Sequence, residues 1–425
     1  MSLDQFLQEA DRAARQGQFA VAARHYESVL KIAPQHSHAH NFFGQVAFQR
    51  QALDEARQHF ERASKGQPAF ALAHANLGRV LKQQGFWRDA LKSLDAAIKL
   101  EPNAYAVHFE RAEIYEFLGE PRNAALSYNQ ALMTMPDSLN RLSEMQPRLQ
   151  HARNMVMADR RELAAFMLAR VNPLKAGHSA RSTRRMDETL AITLGQTRYY
   201  PSRPLMFHIT RLPSIPFFDR EDFDWAPALE AATPLVLAEL HTLLNHDASG
   251  FEPYVQTGEA ESPGQFAALD RNLDWGAYFL WKHGKKIEAH CERCPNTIAA
   301  LEQVPQISIR DRAPAVMFSA LKPKTHIPPH NGATNARLTC HLPLIIPPGC
   351  EFRVGAEVRE WRLGELFMFD DTIEHEAFNR GDQLRVVLIF DVWHPHLTQL
   401  EREIVQATQV AMMDHYGTDA PLGEL

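Results

Sequence analysis

The sequence predicts a multidomain chain in which an all-α array of helical hairpins precedes a β-rich domain, a sandwich or small barrel with flanking helices. Two observations carry this. Prolines recur every 34 residues, at Pro34, Pro68, Pro102 and Pro136. Beyond residue 204, long helical patterns give way to short apolar runs separated by turn-rich loops. A length of 425 residues, 45% of them hydrophobic and 23% charged, allows two or three domains with buried cores.

The first element is the array. Alanines keep the proline spacing at Ala22, Ala56, Ala90 and Ala124, and a ring or large apolar residue follows four later, at Tyr26, Phe60, Leu94 and Tyr128. Ala63, Ala97 and Ala131 complete the second helix of three units. Gly44 and Gly78 sit in the first helix of two, and Gly17, Gly85 and Gly119 fall in turns. Small residues lie where two helices approach, and the large residue one turn on fills the groove beside them. Proline then stops the second helix. The pattern resembles tetratricopeptide repeats, which stack into a superhelix whose concave face holds extended peptides or partner helices. Packing on the chain's own second domain, or dimerisation, is the alternative use. Residues 137–170 stay helical and read as a cap. Residues 171–203 lack a clear period and read as a linker, so the expected divisions are 1–136 repeats, 137–175 capping helices and linker, and 176–425 the β-rich domain.

Within that last domain, residues 226–245 keep a helical pattern. Strand-like runs follow at 277–281, 315–321, 336–346, 351–354, 366–369 and 385–392, and residues 397–416 form a final helix. Many short strands joined by turns predict a jelly-roll of the cupin type.

Composition excludes some functions. A formal net charge of -6 gives no footing for a nucleic-acid partner. The N-terminus lacks a basic segment followed by an apolar core, and no uncharged apolar run approaches the ~20 residues of a membrane span. Four cysteines make no disulfide framework, so a cytoplasmic location is expected. Cys291 and Cys294 form one CxxC with no second pair to complete a zinc site.

Histidines are dense near the end: His326, His330, His341, His375, His394 and His396. Pro323, Pro328 and Pro329 forbid a helix through His326 and His330, so a metal pair on one helical face is excluded. A pair across the barrel is left, with one histidine at a strand entrance and one on a later strand.

The run from His330 through Asn331, Gly332, Ala333, Thr334, Asn335, Ala336, Arg337, Leu338, Thr339 and Cys340 to His341 resembles the core of the aspartyl/asparaginyl β-hydroxylase family. So do Phe369-Asp370-Asp371-Thr372-Ile373-Glu374-His375 and the segment from Arg385 to Asp391-Val392-Trp393-His394-Pro395. The resemblance covers roughly residues 205–400. It implies a double-stranded β-helix, use of iron(II), 2-oxoglutarate and O2, and hydroxylation of Asp or Asn β-carbons in a protein or peptide substrate. His330 and His375 would hold the metal. Gly332 stands where most such oxygenases have a carboxylate ligand, and this family has glycine there, with water taking the vacant position. Arg385, assisted by Ser319, would take the distal carboxylate of 2-oxoglutarate. His341 and Trp275 match positions that line the co-substrate, and Thr339 stands where the best-known members have a co-substrate-binding arginine. Arg337 would grip the substrate side chain, and Asp370 and Asp371 would support the site. Two alternatives stay open: hydroxylation of a lipid acyl chain, and a non-catalytic scaffold that only senses metal or 2-oxoglutarate.

Overall fold

The computed structural model describes residues 1–256 and 266–417. It divides into two compact units, Met1–Gly195 and Gln196–Leu425.

The first unit opens with four antiparallel helix pairs: α1 (Leu3–Arg15) with α2 (Phe19–Ile32), α3 (Ser37–Gln49) with α4 (Leu53–Lys65), α5 (Ala71–Gln83) with α6 (Trp87–Leu100), and α7 (Tyr105–Phe117) with α8 (Pro121–Thr134). Each periodic alanine is fully buried. The glycines of the first helices are required by the residue four after it. A Cβ on Gly44 would lie 2.6 Å from the Phe60 ring, and one on Gly78 2.6 Å from the Leu94 side chain.

A short α9 (Asp137–Asn140) leads to α10 (Gln146–Lys175), whose Leu149, Ala152 and Val156 close the core of the last repeat against Phe109 and Tyr128. The expected linker is then corrected. Residues Ala180–Thr193 form α11, capped where the Ser179 side chain accepts the Ser182 amide and ended at Gly195 with φ +68°. No residue of α11 is buried, so it carries no apolar stripe to reveal it. The unit ends at Gly195 rather than near 175.

The second unit contains β1 (Phe217–Phe218), α12 (Ala226–Ala231), α13 (Thr233–His246), β2 (Glu252–Pro253), β3 (Trp275–Lys282), β4 (Lys285–Lys286), α14 (Glu288–Cys291) and α15 (Pro295–Leu301). There follow β5 (Val316–Leu321), β6 (Thr325–His330), β7 (Arg337–Ile345), β8 (Cys350–Val354), β9 (Glu357–Arg359), β10 (Phe367–Phe369), β11 (His375–Asn379), β12 (Arg385–Trp393) and α16 (Gln399–Tyr416). One antiparallel sheet runs β1-β10-β7-β12-β5-β3-β2 with β4 beside β3, and a smaller one runs β6-β11-β8-β9. From β5 to β12 the chain passes back and forth between the sheets, which is the winding of a double-stranded β-helix.

Alternation along the strands sorts the two faces of the larger sheet. Phe318, Ala320, Leu338, Cys340, Leu342, Leu388 and Phe390 pack under α12 and α13. The opposite face, with Trp275, Leu321, Phe367, Phe369 and Val387, meets Ile327, Phe352, Val354 and Ala377 of the smaller sheet. The strand β6 was not expected, because Pro328 and Pro329 read as loop. Among the described residues it pairs only with β11, at the sheet edge, where missing amide donors cost nothing.

Candidate active site

The inner face of the larger sheet and the β6–β11 pair bring the predicted residues together. His330 ends β6, His375 begins β11, and the two are direct partners in the antiparallel register. Their ring centroids are 4.0 Å apart. Nδ1 of His330 faces the Pro328 carbonyl at 2.8 Å and Nδ1 of His375 faces the Ile373 carbonyl at 3.0 Å. A carbonyl only accepts, so Nδ1 carries the proton in both rings and Nε2 keeps its lone pair. Burial pushes the His330 pKa down to about 3, helped by the neighbouring His375, and pushes His375 down to about 4. Two neutral imidazoles with free Nε2 atoms are the donor set that a divalent transition metal takes.

No third ligand can grow from residue 332. A Cβ on Gly332 would lie 2.2 Å from Cγ of Asp371 and 2.3 Å from each of its carboxylate oxygens. Among the described residues, no group of three His, Cys, Asp or Glu is placed to hold a metal.

One end of the site is built to receive an anion. Arg385 is 1% exposed, and its guanidinium has no carboxylate partner among the described residues. Among the described residues its Nη1 reaches only the Ser319 carbonyl, at 3.4 Å, and its Nε is buried without a partner. Burial lowers its pKa to about 10. Arg385 is opposite Leu321 of β5, and Trp275 of β3 is opposite the same Leu321. The Trp275 indole donates to the Ser319 hydroxyl at 3.1 Å. Trp361, not singled out in the sequence, lies under the Arg385 guanidinium at 4.6 Å and donates its Nε1–H to Nδ1 of His341 at 3.3 Å. An indole only donates, so His341 carries its proton on Nε2. Burial and the Arg385 charge hold that imidazole neutral.

The other end differs from expectation. Arg337, Thr339 and His341 do share one face of β7, but the Arg337 guanidinium is already paired. Nη2 faces Asp371 at 3.0 Å and Nη1 contacts Asp391. Burial opposes the cation, yet the two carboxylates outweigh it and raise its pKa. Thr339 also turns to this cluster, with its hydroxyl 3.2 Å from an oxygen of Asp371 and 3.2 Å from one of Asp391. The hydroxyl therefore belongs to the carboxylate cluster. Asp370 accepts from the amide and hydroxyl of Thr372, ordering the turn that carries Asp371.

Other candidates stand apart. Cys291 and Cys294 are buried free thiols, Cys294 pushed up to about 12 by burial. His326 faces Glu376 on the outside of β6, and His394 packs its ring against Phe218. Asp391 lay within the quoted motif, but its pairing with Arg337 could not be read there. Trp361 had no signal in the sequence.

The aspartyl/asparaginyl beta-hydroxylase family model matches residues 230–395, which contain all the site residues named above. A tetratricopeptide repeat model matches 7–69 and 75–138. The mouse aspartyl/asparaginyl beta-hydroxylase (Mus musculus) is 39% identical over 152 residues, 35% of this chain and 20% of that one. An ornithine lipid ester-linked acyl 2-hydroxylase of Rhizobium tropici is 32% identical over 207 residues, 47% of this chain and 69% of that one. The human aspartate beta-hydroxylase domain-containing protein 2 is 31% identical over 217 residues, 49% and 56% of the two chains. The match thus spans about a fifth of the mouse relative's length. Agreement over the strands that carry the histidine pair and the buried arginine places this chain in the aspartyl/asparaginyl β-hydroxylase family, with tetratricopeptide repeats ahead of the matched region.

Proposed function

We propose that the protein is an iron(II)- and 2-oxoglutarate-dependent dioxygenase that hydroxylates the β-carbon of an aspartyl or asparaginyl residue in a protein or peptide, which the repeat array helps to present. The observation that carries this is Arg385, a cation buried with no acidic partner among the described residues, on the inner face of the larger sheet, which packs against the smaller sheet that carries the neutral histidine pair. A buried guanidinium without a counter-ion is costly unless a ligand supplies one. A dicarboxylate of matching length does so bidentately.

In this reading His330 and His375 hold iron(II) through Nε2. With iron(II) held there, the site would supply O2 activation coupled to oxidation of 2-oxoglutarate, giving the hydroxylated product with succinate and CO2. Arg385 and the Ser319 hydroxyl bind the distal carboxylate of 2-oxoglutarate. The His341 Nε2–H donates to its other carboxylate, and Trp275 walls the pocket while orienting Ser319. Buried rings around the pair, including Phe352 and Phe369, exclude water. The four free thiols support a cytoplasmic setting.

The relative named as an acyl 2-hydroxylase supports a second reading, a lipid acyl substrate. Among the described residues no helix is long and apolar enough to cross a membrane. The paired charges of Arg337, Asp371 and Asp391 at the substrate end favour a polar substrate instead.

The experiment is 2-oxoglutarate turnover to succinate with added iron(II), comparing wild type with His375→Ala. Turnover abolished in the variant is expected. A wild type that binds iron yet forms no succinate with peptide or acyl substrates would overturn the assignment in favour of a sensing scaffold.

A further inference from the structure

Terminal repeats of a stacked array are ordinarily closed by a polar outer face. The last two long helices of the first unit depart from this. They run antiparallel: the Lys175 ammonium of α10 meets Asp187 of α11 near the turn, and at the far end a Cβ on Gly195 would lie 3.1 Å from the Arg160 guanidinium. The first half of α10 closes the repeat core through Leu149, Ala152 and Val156. Beyond Val156 neither α10 nor α11 buries a side chain. There Leu163, Phe166 and Leu174 follow at spacings of three and eight, so they share one face of α10. They are 45%, 55% and 77% exposed, and Met186 of α11 is 56% exposed. The apolar row extends about 16 Å along the helix.

The same hairpin is basic. Between Gln146 and Gly195, nine arginines and lysines stand against four aspartates and glutamates, in a chain whose formal net charge is -6. Arg153, Arg161, Arg170, Arg181 and Arg185 are exposed. Arg170 falls on the apolar row itself, with its guanidinium 3.5 Å over the Phe166 ring, and Lys175 follows Leu174 directly. Apolar side chains that can enter an acyl layer, among cations on long stems that stay with the phosphates, suit a helix lying on a bilayer. Charge separates the possible occupants. A second copy would set this positive excess against itself. A nucleic acid would meet the arginines and leave the apolar row in water. An anionic lipid surface answers both sets of side chains.

We propose that the second half of α10, together with α11, is a docking surface for a membrane bearing anionic phospholipid headgroups, on which the protein lies without spanning it. The surface belongs to the first unit alone and holds whatever the second unit hydroxylates. The cytoplasmic setting proposed above offers such a leaflet.

The test floats the full chain with vesicles of phosphatidylcholine alone, or with a third of the lipid as phosphatidylglycerol. Binding to the anionic vesicles only, weakening as salt is raised, is expected. Arg161→Gln with Arg185→Gln should lower the partition coefficient about thirtyfold. Phe166→Ser with Leu174→Ser should lower it about tenfold or more. Phe19→Ser, at an exposed ring on α2, should leave it unchanged. All five positions are exposed, and circular dichroism checks that each variant keeps its helices. Binding to neither vesicle, equal binding to both, or anionic binding that survives both double substitutions overturns the inference. So does a concentration-dependent dimer in light scattering that Phe166→Ser with Leu174→Ser dissolves, since it would assign the face to a second copy.

Discussion

Replacing Arg385 with methionine is expected to stabilise the ligand-free protein while abolishing the 2-oxoglutarate binding proposed above. The guanidinium is 1% exposed, and among the described residues its one hydrogen bond is a long 3.4 Å contact to a carbonyl and its Nε is unpartnered. Burial lowers its pKa from 12.5 to about 10. At about 1.4 kcal/mol per pH unit, keeping the charge there costs about 3 kcal/mol. Methionine retains an unbranched stem but gives up the cation over the Trp361 ring, a contact worth about 1 kcal/mol. The net gain is about 1–3 kcal/mol. It is the same from pH 6 to 8, because the guanidinium is protonated throughout that range in folded and unfolded chains. Urea unfolding followed by tryptophan emission measures it: Trp225, Trp275, Trp281, Trp361 and Trp393 all lie in the second unit, against Trp87 in the first. Calorimetry with 2-oxoglutarate measures the other half. A variant that unfolds at lower urea with unchanged slope would refute the claim that the cation waits unpaired. One that still binds 2-oxoglutarate would refute its role.

Three further outcomes are expected. Gly332→Asp should destabilise the second unit by about 3–5 kcal/mol rather than supply a third ligand, because its Cβ needs the space of the Asp371 carboxylate and pushes that group off Arg337; an unchanged urea midpoint would show that Asp371 has room to step aside. Burial raises the Asp370 pKa to about 7, so the folded protein keeps a proton that the unfolded chain releases above about pH 4. Stability should therefore fall as pH rises from about 4 to 7, by up to about 4 kcal/mol, and Asp370→Asn should flatten that slope; midpoints of wild type and variant that run parallel across this range would count against it. Trp361→Phe removes the hydrogen bond that sets the His341 tautomer, and should weaken 2-oxoglutarate binding about fivefold, the equivalent of one bond of about 1 kcal/mol, while an unchanged Kd would show that His341 is oriented without it.

Legibility in the sequence followed locality. The repeats declare themselves because each hairpin core is built within 34 residues, so that Gly44 answers Phe60 and Gly78 answers Leu94 at fixed spacing. The helix α11 did not, since an exposed helix needs no apolar stripe. The strand β6 was masked by Pro328 and Pro329, which an edge strand tolerates. His330, His375, Arg385 and Ser319 were legible through motif resemblance, and the alternation of Arg337, Thr339 and His341 on β7 followed from the period of a strand.

By itself the sequence determined the repeat period, the switch to β structure and the residue types able to bind a metal and an anion. Periodicity and spacing are properties of neighbouring residues, so they survive without coordinates. Only the tertiary structure decided which charges are spent. Arg337 and Arg385 are both arginines on inner strand faces. Register sets Asp391 opposite Thr339, within reach of Arg337, and the turn after β10 swings Asp371 onto the same guanidinium. Arg385 is instead opposite Leu321, with an indole beneath it and no carboxylate in contact among the described residues. Whether a buried cation is a structural partner or a waiting anion site depends on groups tens of residues away in the chain, and the folded sheets alone bring them into contact.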